Sequence, residues 1–272
     1  MPNNLSNADG FTLKFGVEEL ALLVQNLGGD TLRGLGDAPF GSLNEREKAL
    51  LTQCASHSLL ARGYLVPLGD DGRLGVDDAV RKIILLALQP LHIVTMIRRV
   101  LDSHSENYYY LAPEHLAIHH HASMGIHSLD VTFSWPNFVD DLSAQLNNLL
   151  PSATGGKAFL LSVSKLQTAK ELALQGQLDK ALATLIQEGA PRAQALPLVY
   201  ALIQPELEWF IHVQSRQSGL KPYEKALTIL CHEQTCWGIQ GENDGGKSGM
   251  ALIQPLNQTN YLALLQTLFL LV

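Results

Sequence analysis

Two short stretches of the chain repeat one another. Leu86-Ala87-Leu88-Gln89-Pro90 and Ala201-Leu202-Ile203-Gln204-Pro205 lie 115 residues apart. Each closes an apolar helix on a proline that cannot continue it, and each then opens a strand. Beyond each, the apolar period changes from that of a helix to the alternation of a strand. Three β-rich stretches and a final helix follow in both places. A repeat of this length is not a solenoid unit. It predicts an α+β protein made of two pseudo-symmetric halves, each a small antiparallel sheet plus helices. A chain of 272 residues can supply two ordinary cores. The predicted division is a disordered start at 1–10, an N-terminal half at 11–150, a linker at 151–157 and a C-terminal half at 158–272.

In the first half, Val17–Leu27 predicts a helix stopped by Gly28-Gly29. Ser42, with Glu45 three residues on, reads as the capping box of a second helix. That helix carries Leu50, Leu51, Cys54, Leu59 and Leu60 as an apolar stripe, and places Cys54 in the core. Tyr64–Leu68 and Arg73–Val76 flank Gly69-Asp70-Asp71-Gly72, a hairpin signal. Asp77 or Asp78 starts a helix that runs to Leu88. The order is winged-helix-like. His92–Val100 reads as a strand, Tyr108–Leu111 with Leu116–His121 as one strand kinked at Pro113, and Ser128–Trp135 as a strand with Leu129, Val131, Phe133 and Trp135 on one face. Pro136 opens a helix to about Leu150. The second half predicts helices at Lys165–Gln175, Gln177–Gln187 and Ala193–Ile203, and strands at Glu206–Arg216, Glu224–Gln240 and Gly249–Gln254. Asn257–Val272 is a helix apolar nearly all round, which predicts burial on all sides.

Charge excludes some functions. The formal net charge is −7, and the 19 Lys and Arg residues form no dense basic run, so phosphate backbones find little to hold them. A winged-helix DNA-binding regulator is the reading this disfavours, and Asp70 and Asp71 at the hairpin tip add to the repulsion. Charged residues make up only 17%. That fits either a surface partly covered by a partner or second copy, or one built from Gln, Asn and Ser. A monomer and a homodimer both satisfy it. The three cysteines form no disulfide framework. Cys231 and Cys236, read on one strand, face opposite sides. These features, with no signal-peptide pattern at the start, predict a cytoplasmic protein.

Three patterns invite a chemical reading. Gly241–Ser248 fits the phosphate-binding pattern GxxxxGK[ST], but the stretch after it is too short and broken for the required helix, so a hairpin loop is predicted. His119 and His121 share a strand face, and His127 on the next strand could join them. With Asp130 nearby this is a workable set for a metal-dependent hydrolase. The plainer reading is of partly exposed strand histidines. Trp209, Phe210, Trp237 and Tyr108–Tyr110 read as strand aromatics of the core, and any left uncovered would anchor a protein partner. No nucleophile elbow occurs. No catalytic residue and no cofactor are assigned.

Glu18–Leu23, reading EELALL, the helix end Ser58-Leu59-Leu60-Ala61-Arg62-Gly63-Tyr64-Leu65-Val66, and the closing WGIQ and GMALIQPLNQTNYLALLQTL stretches together resemble the EspG family, the cytosolic chaperones of type VII secretion. The resemblance spans nearly the whole chain. It implies two quasi-symmetric α+β halves, no catalytic residues, and a protein client of the PE–PPE kind, kept soluble for secretion. It also implies a partner surface largely in the C-terminal half. The chain is richer in Gln and His than that family leads one to expect, which leaves the client open.

Overall fold

The computed structural model describes residues 11–36, 40, 43–70, 72–101, 103–112, 115–121, 125–132, 142, 150–151, 156–215, 224–241 and 249–269. The chain forms two compact units. One contains the described residues up to Ile93 together with those of 106–135; the other contains 94–105 and those of 136–272. The predicted disordered start, the Ser42 cap and most of the helix after Pro136 lie outside the described residues.

The first unit opens with β1 (Phe11–Gly16), which the sequence reading passed over. Its alternation is plain: Leu13 and Phe15 are buried, Thr12 and Lys14 exposed. It pairs antiparallel with β7 (Ile126–Thr132), from Phe11 opposite Val131 to Gly16 opposite Ile126. Helix α1 (Val17–Asn26) follows without a loop, and the Gly16 N–H donates to the Glu19 carboxylate at 2.8 Å. Helix α2 (Glu45–Ala61) is capped by Asn44, whose side chain accepts from the N–H groups of Arg46 and Glu47, while Glu47 accepts from Asn44 N–H. The box thus sits two residues beyond the predicted one. α2 buries only Ala55 and Leu59, so Cys54 is exposed rather than in the core. Gly63 (φ 72) then ends the helix in a Schellman turn, with Tyr64 N–H on Leu59 O and Gly63 N–H on Leu60 O. The short hairpin β2 (Leu65–Pro67) and β3 (Leu74–Val76) leads to α3 (Asp78–Leu88), capped by Asp77.

After β4 (His92–Val100) come β5 (Ser103–Leu111) and β6 (Leu116–His121). These are two antiparallel strands, not one kinked strand: Ala112 and His115 exchange backbone hydrogen bonds and reverse the chain. Strands of this unit run in the order β1-β7-β6-β5. Leu129 and Val131 are buried as the alternation predicts; Phe133 and Trp135 lie outside the described residues. The core gathers α1 and α3 against them through Leu20, Leu23, Ile84, Phe15, Tyr110 and Leu129. At the surface of this unit Arg62 reaches from the end of α2 to Glu19 of α1 at 2.9 Å and to the carbonyl of Lys14 in β1. Its guanidinium lies 4.5 Å from the Tyr64 ring centroid.

The second unit has strand order β4-β9-β10-β11-β12-β8. Strand β8 (Phe159–Ser162) pairs antiparallel with β12 (Met250–Leu256), much as β1 pairs with β7. Helices α4 (Val163–Leu174), α5 (Leu178–Gln187) and α6 (Arg192–Ile203) pack on one face of the strands, over Leu161, Leu230, Trp237, Ala251 and Ile253. The predicted single strand at Glu224–Gln240 is the hairpin β10 (Glu224–His232) and β11 (Thr235–Gly241). The turn is made by Glu233 in the left-handed region (φ 52). Cys231 and Cys236 are therefore register partners with Cα atoms 4.1 Å apart, joined as a disulfide, and not on opposite faces. That removes the argument drawn from them for a reducing compartment. Helix α7 (Tyr261–Phe269) buries Tyr261, Leu264, Leu265, Leu268 and Phe269 but leaves Leu262 exposed, so it is not covered on every side. It comes close at Gly238, where a Cβ would stand 2.7 Å from Leu264. Among the described residues no helix is long and apolar enough to cross a membrane.

The strands so counted exceed the three expected in each half. In chain order four strands follow α3 (β4–β7) and four follow α6 (β9–β12); β1 lies beside β7 in the first unit and β8 beside β12 in the second.

Candidate functional site

The strand histidines divide between two faces. His119 of β6 and His127 of β7 point into the first unit and are fully buried. His119 Nε2 lies 2.9 Å from His127 Nδ1, and His119 Nδ1 lies 3.0 Å from the carbonyl of Arg33. The same carbonyl accepts from Tyr110 OH at 3.0 Å. The His119 ring sits near the rings of Tyr108 and Tyr110, with centroids at 5.8 and 6.4 Å. Both nitrogens of His119 are thus engaged, and a metal at Nε2 would have to displace His127. His121 stands opposite His127 in register; its side chain lies outside the described residues. Asp130 is on the other face, where it meets His120 Nε2 at 2.9 Å, and His120 Nδ1 meets Asn107 Oδ1 at 2.7 Å. Among the described residues no three His, Cys, Asp or Glu side chains converge to hold a metal.

The phosphate-loop pattern falls between β11 and β12, which are antiparallel neighbours. Residues 242–248 lie outside the described residues, but the flanking context is strand and strand, without the helix whose N-terminus would take phosphate.

The three aromatic candidates separate by face. Strand β9 (Leu207–Ser215) alternates strictly between buried and half-buried positions. Trp209 is buried, with the Arg98 guanidinium 5.7 Å from its ring centroid. Trp237 is buried beneath α4–α6. Neither is open to a partner. Phe210 is half-exposed on the other face of β9, with Glu208, His212 and Gln214. Leu230, which α6 covers, is the register partner of Glu208, so this row lies on the α6 side of the strands. Phe210 stacks on His212 at 6.1 Å and stands opposite Thr228. His212 in turn reaches Glu224 at 3.7 Å. On α6, Leu196 and Tyr200 are one turn apart and both exposed, and Tyr200 stacks on His232 at 5.8 Å. His232 donates from Nδ1 to the carbonyl of Gln204 at 2.8 Å. The second unit thus presents two aromatic positions, each backed by a histidine, on one side of its strands. The sequence reading named Phe210 and passed over Leu196 and Tyr200, whose i, i+4 spacing was the available signal.

No protein-family model matches the chain, and no curated protein matches its sequence. Among solved structures, one covers 95% of this chain and 96% of its own with a TM-score of 0.66 at 14% identity: the Mycobacterium tuberculosis type VII secretion system chaperone EspG5, solved in complex with a PE25–PPE41 dimer. The chain shares that chaperone's fold from end to end.

Proposed function

We propose that the chain is a non-enzymatic, cytoplasmic chaperone or adaptor resembling EspG, which holds a helical protein client of the PE–PPE kind and keeps it soluble for secretion. One observation carries the reading: likeness of fold over nearly the whole of both chains to a chaperone seen on its client. Supporting it, the element order runs twice along the chain from a leading strand through helices to four strands, as a duplicated module would. Client contact is assigned to the α6 side of the second unit, through Phe210, Tyr200 and Leu196. Partly or fully exposed aromatics beside histidines give apolar area with polar edges, the composition of interface anchors.

The test is co-expression with a PE–PPE pair followed by size-exclusion chromatography. A stable 1:1:1 complex is expected. Phe210→Ala with Tyr200→Ala should weaken it at least tenfold with the melting temperature retained. No complex with any such pair, or a complex indifferent to both substitutions, overturns the reading. For the hydrolase alternative, His119 offers no uncommitted nitrogen in this arrangement. For the DNA-binding alternative, the β2–β3 hairpin tip carries Asp70, and the sequence has no dense basic run.

A further inference from the structure

The β10–β11 turn joins a thiol pair to the aromatic end of α6. Cys231 and Cys236 are opposed in register and joined as a disulfide. Ladder pairs from Ala226–Gly241 to Leu230–Trp237 hold the hairpin on one side of them, and the pair His232–Thr235 lies between them and the turn tip. The ladder therefore keeps the two sulfurs facing each other after reduction. A sequence separation of 5 closes a short loop, and short loops constrain the unfolded chain least. Both states of the pair are thus compatible with the fold, which distinguishes a reversible couple from a staple. In the cytoplasm proposed above, disulfides are transient and serve catalysis or sensing. Both cysteines are buried, so a reagent reaches them only when the turn opens. With His232–Thr235 as the pair to be broken, that opening is local.

The contacts of the turn give the couple a consequence. His232, next to Cys231, donates from Nδ1 to the Gln204 carbonyl at 2.8 Å, and its ring stacks on Tyr200 at 5.8 Å. Thr235, next to Cys236, donates from Oγ1 to the His232 carbonyl at 2.9 Å. We propose that Cys231 and Cys236 are a reversible oxidation site, and that closing the disulfide fixes His232 on Gln204 and Tyr200. The oxidant is a small-molecule disulfide of the glutathione kind. With the turn open, the Cys231 thiol gives its proton to solvent and its thiolate attacks one sulfur of the oxidant. The oxidant's S–S bond breaks, one thiolate leaves, and a mixed disulfide remains. The Cys236 thiolate then attacks the Cys231 sulfur, forms the internal S–S bond and expels the second thiolate. The dithiol gives up two electrons and two protons, and the oxidant becomes two thiols. Excess thiol reverses both steps. The redox chemistry stands on the hairpin alone; its effect on a client rests on the Tyr200 surface proposed above.

The test uses the full chain carrying Cys54→Ser, which removes the exposed third thiol. It is equilibrated in mixtures of reduced and oxidised glutathione, quenched by alkylation and weighed by mass spectrometry. One two-electron transition between dithiol and disulfide is expected, with the chain folded on both sides of it by circular dichroism. Amide hydrogen exchange at His232 and Thr235 should be about tenfold or more slower in the disulfide form, and the His232 ring resonances should differ between the forms. Cys231→Ser with Cys236→Ser should match the dithiol form in every mixture. A folded chain that stays disulfide in excess reduced glutathione, one that stays dithiol in excess oxidised glutathione, or His232 resonances and exchange identical in both forms overturns the proposal. Affinity for a PE–PPE pair should be about fivefold or more higher in the disulfide form. Equal affinity in both forms overturns the link to the client. No complex in either form, with the transition and the His232 changes intact, overturns the chaperone reading and supports the oxidation site.

Discussion

Replacing Arg62 by alanine tests the account of how the first unit is tied together. Arg62 closes α2, bonds Glu19 at 2.9 Å, reaches the Lys14 carbonyl and lies over Tyr64 at 4.5 Å. Its side chain is 35% exposed and that of Glu19 only 11%, so the pair is neither a free surface bridge nor a dry one. Breaking a fully buried pair from one side costs about 3–5 kcal/mol, while exposed pairs are worth under about 1. Glu19 keeps the Gly16 N–H when Arg62 is lost, which places the ion-pair part between these limits, at about 1.5 kcal/mol. Cation–π contact at a part-exposed ring adds about 0.5–1 kcal/mol. The loss is then about 2 kcal/mol, a fall of about 4–8 °C in Tm for a unit of this size. Thermal unfolding of Arg62→Ala, Glu19→Gln and the double variant reads both the total and the coupling, which should reach about 1 kcal/mol. Arg62→Lys should recover only part, since an ammonium cannot stack as a plane and has no second nitrogen to reach the Lys14 carbonyl while the first holds Glu19. A shift of under about 1 °C in Arg62→Ala, or additive single effects, would refute the reasoning.

Gly34→Ala combines a positive φ with a collision on Tyr108 and should cost about 2 kcal/mol or more, seen as a lower urea midpoint at unchanged slope. Reducing Cys231–Cys236, or replacing both by serine, releases a loop of sequence separation 5 and should cost about 2 kcal/mol on chain entropy, read as a Tm difference with and without reductant. Burial lowers the His92 pKa from the ordinary histidine value near 6.5, so the unfolded chain binds a proton before the folded one does. Stability from this source is complete above about 6.5 and drains away as pH falls toward the lower folded value; His92→Gln should flatten Tm against pH in that window, and an unchanged slope would count against it.

Period and punctuation carried much of the fold. Asp77 and the Gly28 stop mark helix ends by local chemistry, and Leu129 and Val131 mark a buried strand face by alternation alone. Two losses have physical causes. β1 is six residues long and finds its partner β7 more than a hundred residues away, so no turn announces the pairing although Phe11, Leu13 and Phe15 alternate. The β10–β11 turn carries no glycine or asparagine; Glu233 itself takes the left-handed conformation, and the run reads as one strand. That single missed reversal also misplaced the cysteines. At the candidate sites, alternation says that Trp209 and Phe210 face opposite ways but not which face is covered. For the histidines, spacing suggests that His119 and His127 can meet, and they do so through a hydrogen bond; only coordinates reveal that Arg33 O fixes the tautomer.

A fold shared at 14% identity must be held by features that many sequences can supply. The residues behind the weak EspG resemblance are of that kind. Gly63 is needed for its backbone angle, Glu19 for an N–H at a strand-to-helix junction, and Arg62 for joining the two. Each acts on the backbone or on another of the set, so core positions around them can exchange one apolar group for another. β9 shows where such exchange stops being neutral. Its buried positions, Leu207, Trp209, Ile211 and Val213, answer to packing, whereas Glu208, Phe210, His212 and Gln214 answer to none of the core. Exchange in that second set leaves the packing of the first undisturbed. The Phe210–His212 stack is therefore where this chain can differ from its structural neighbour without loss of the fold.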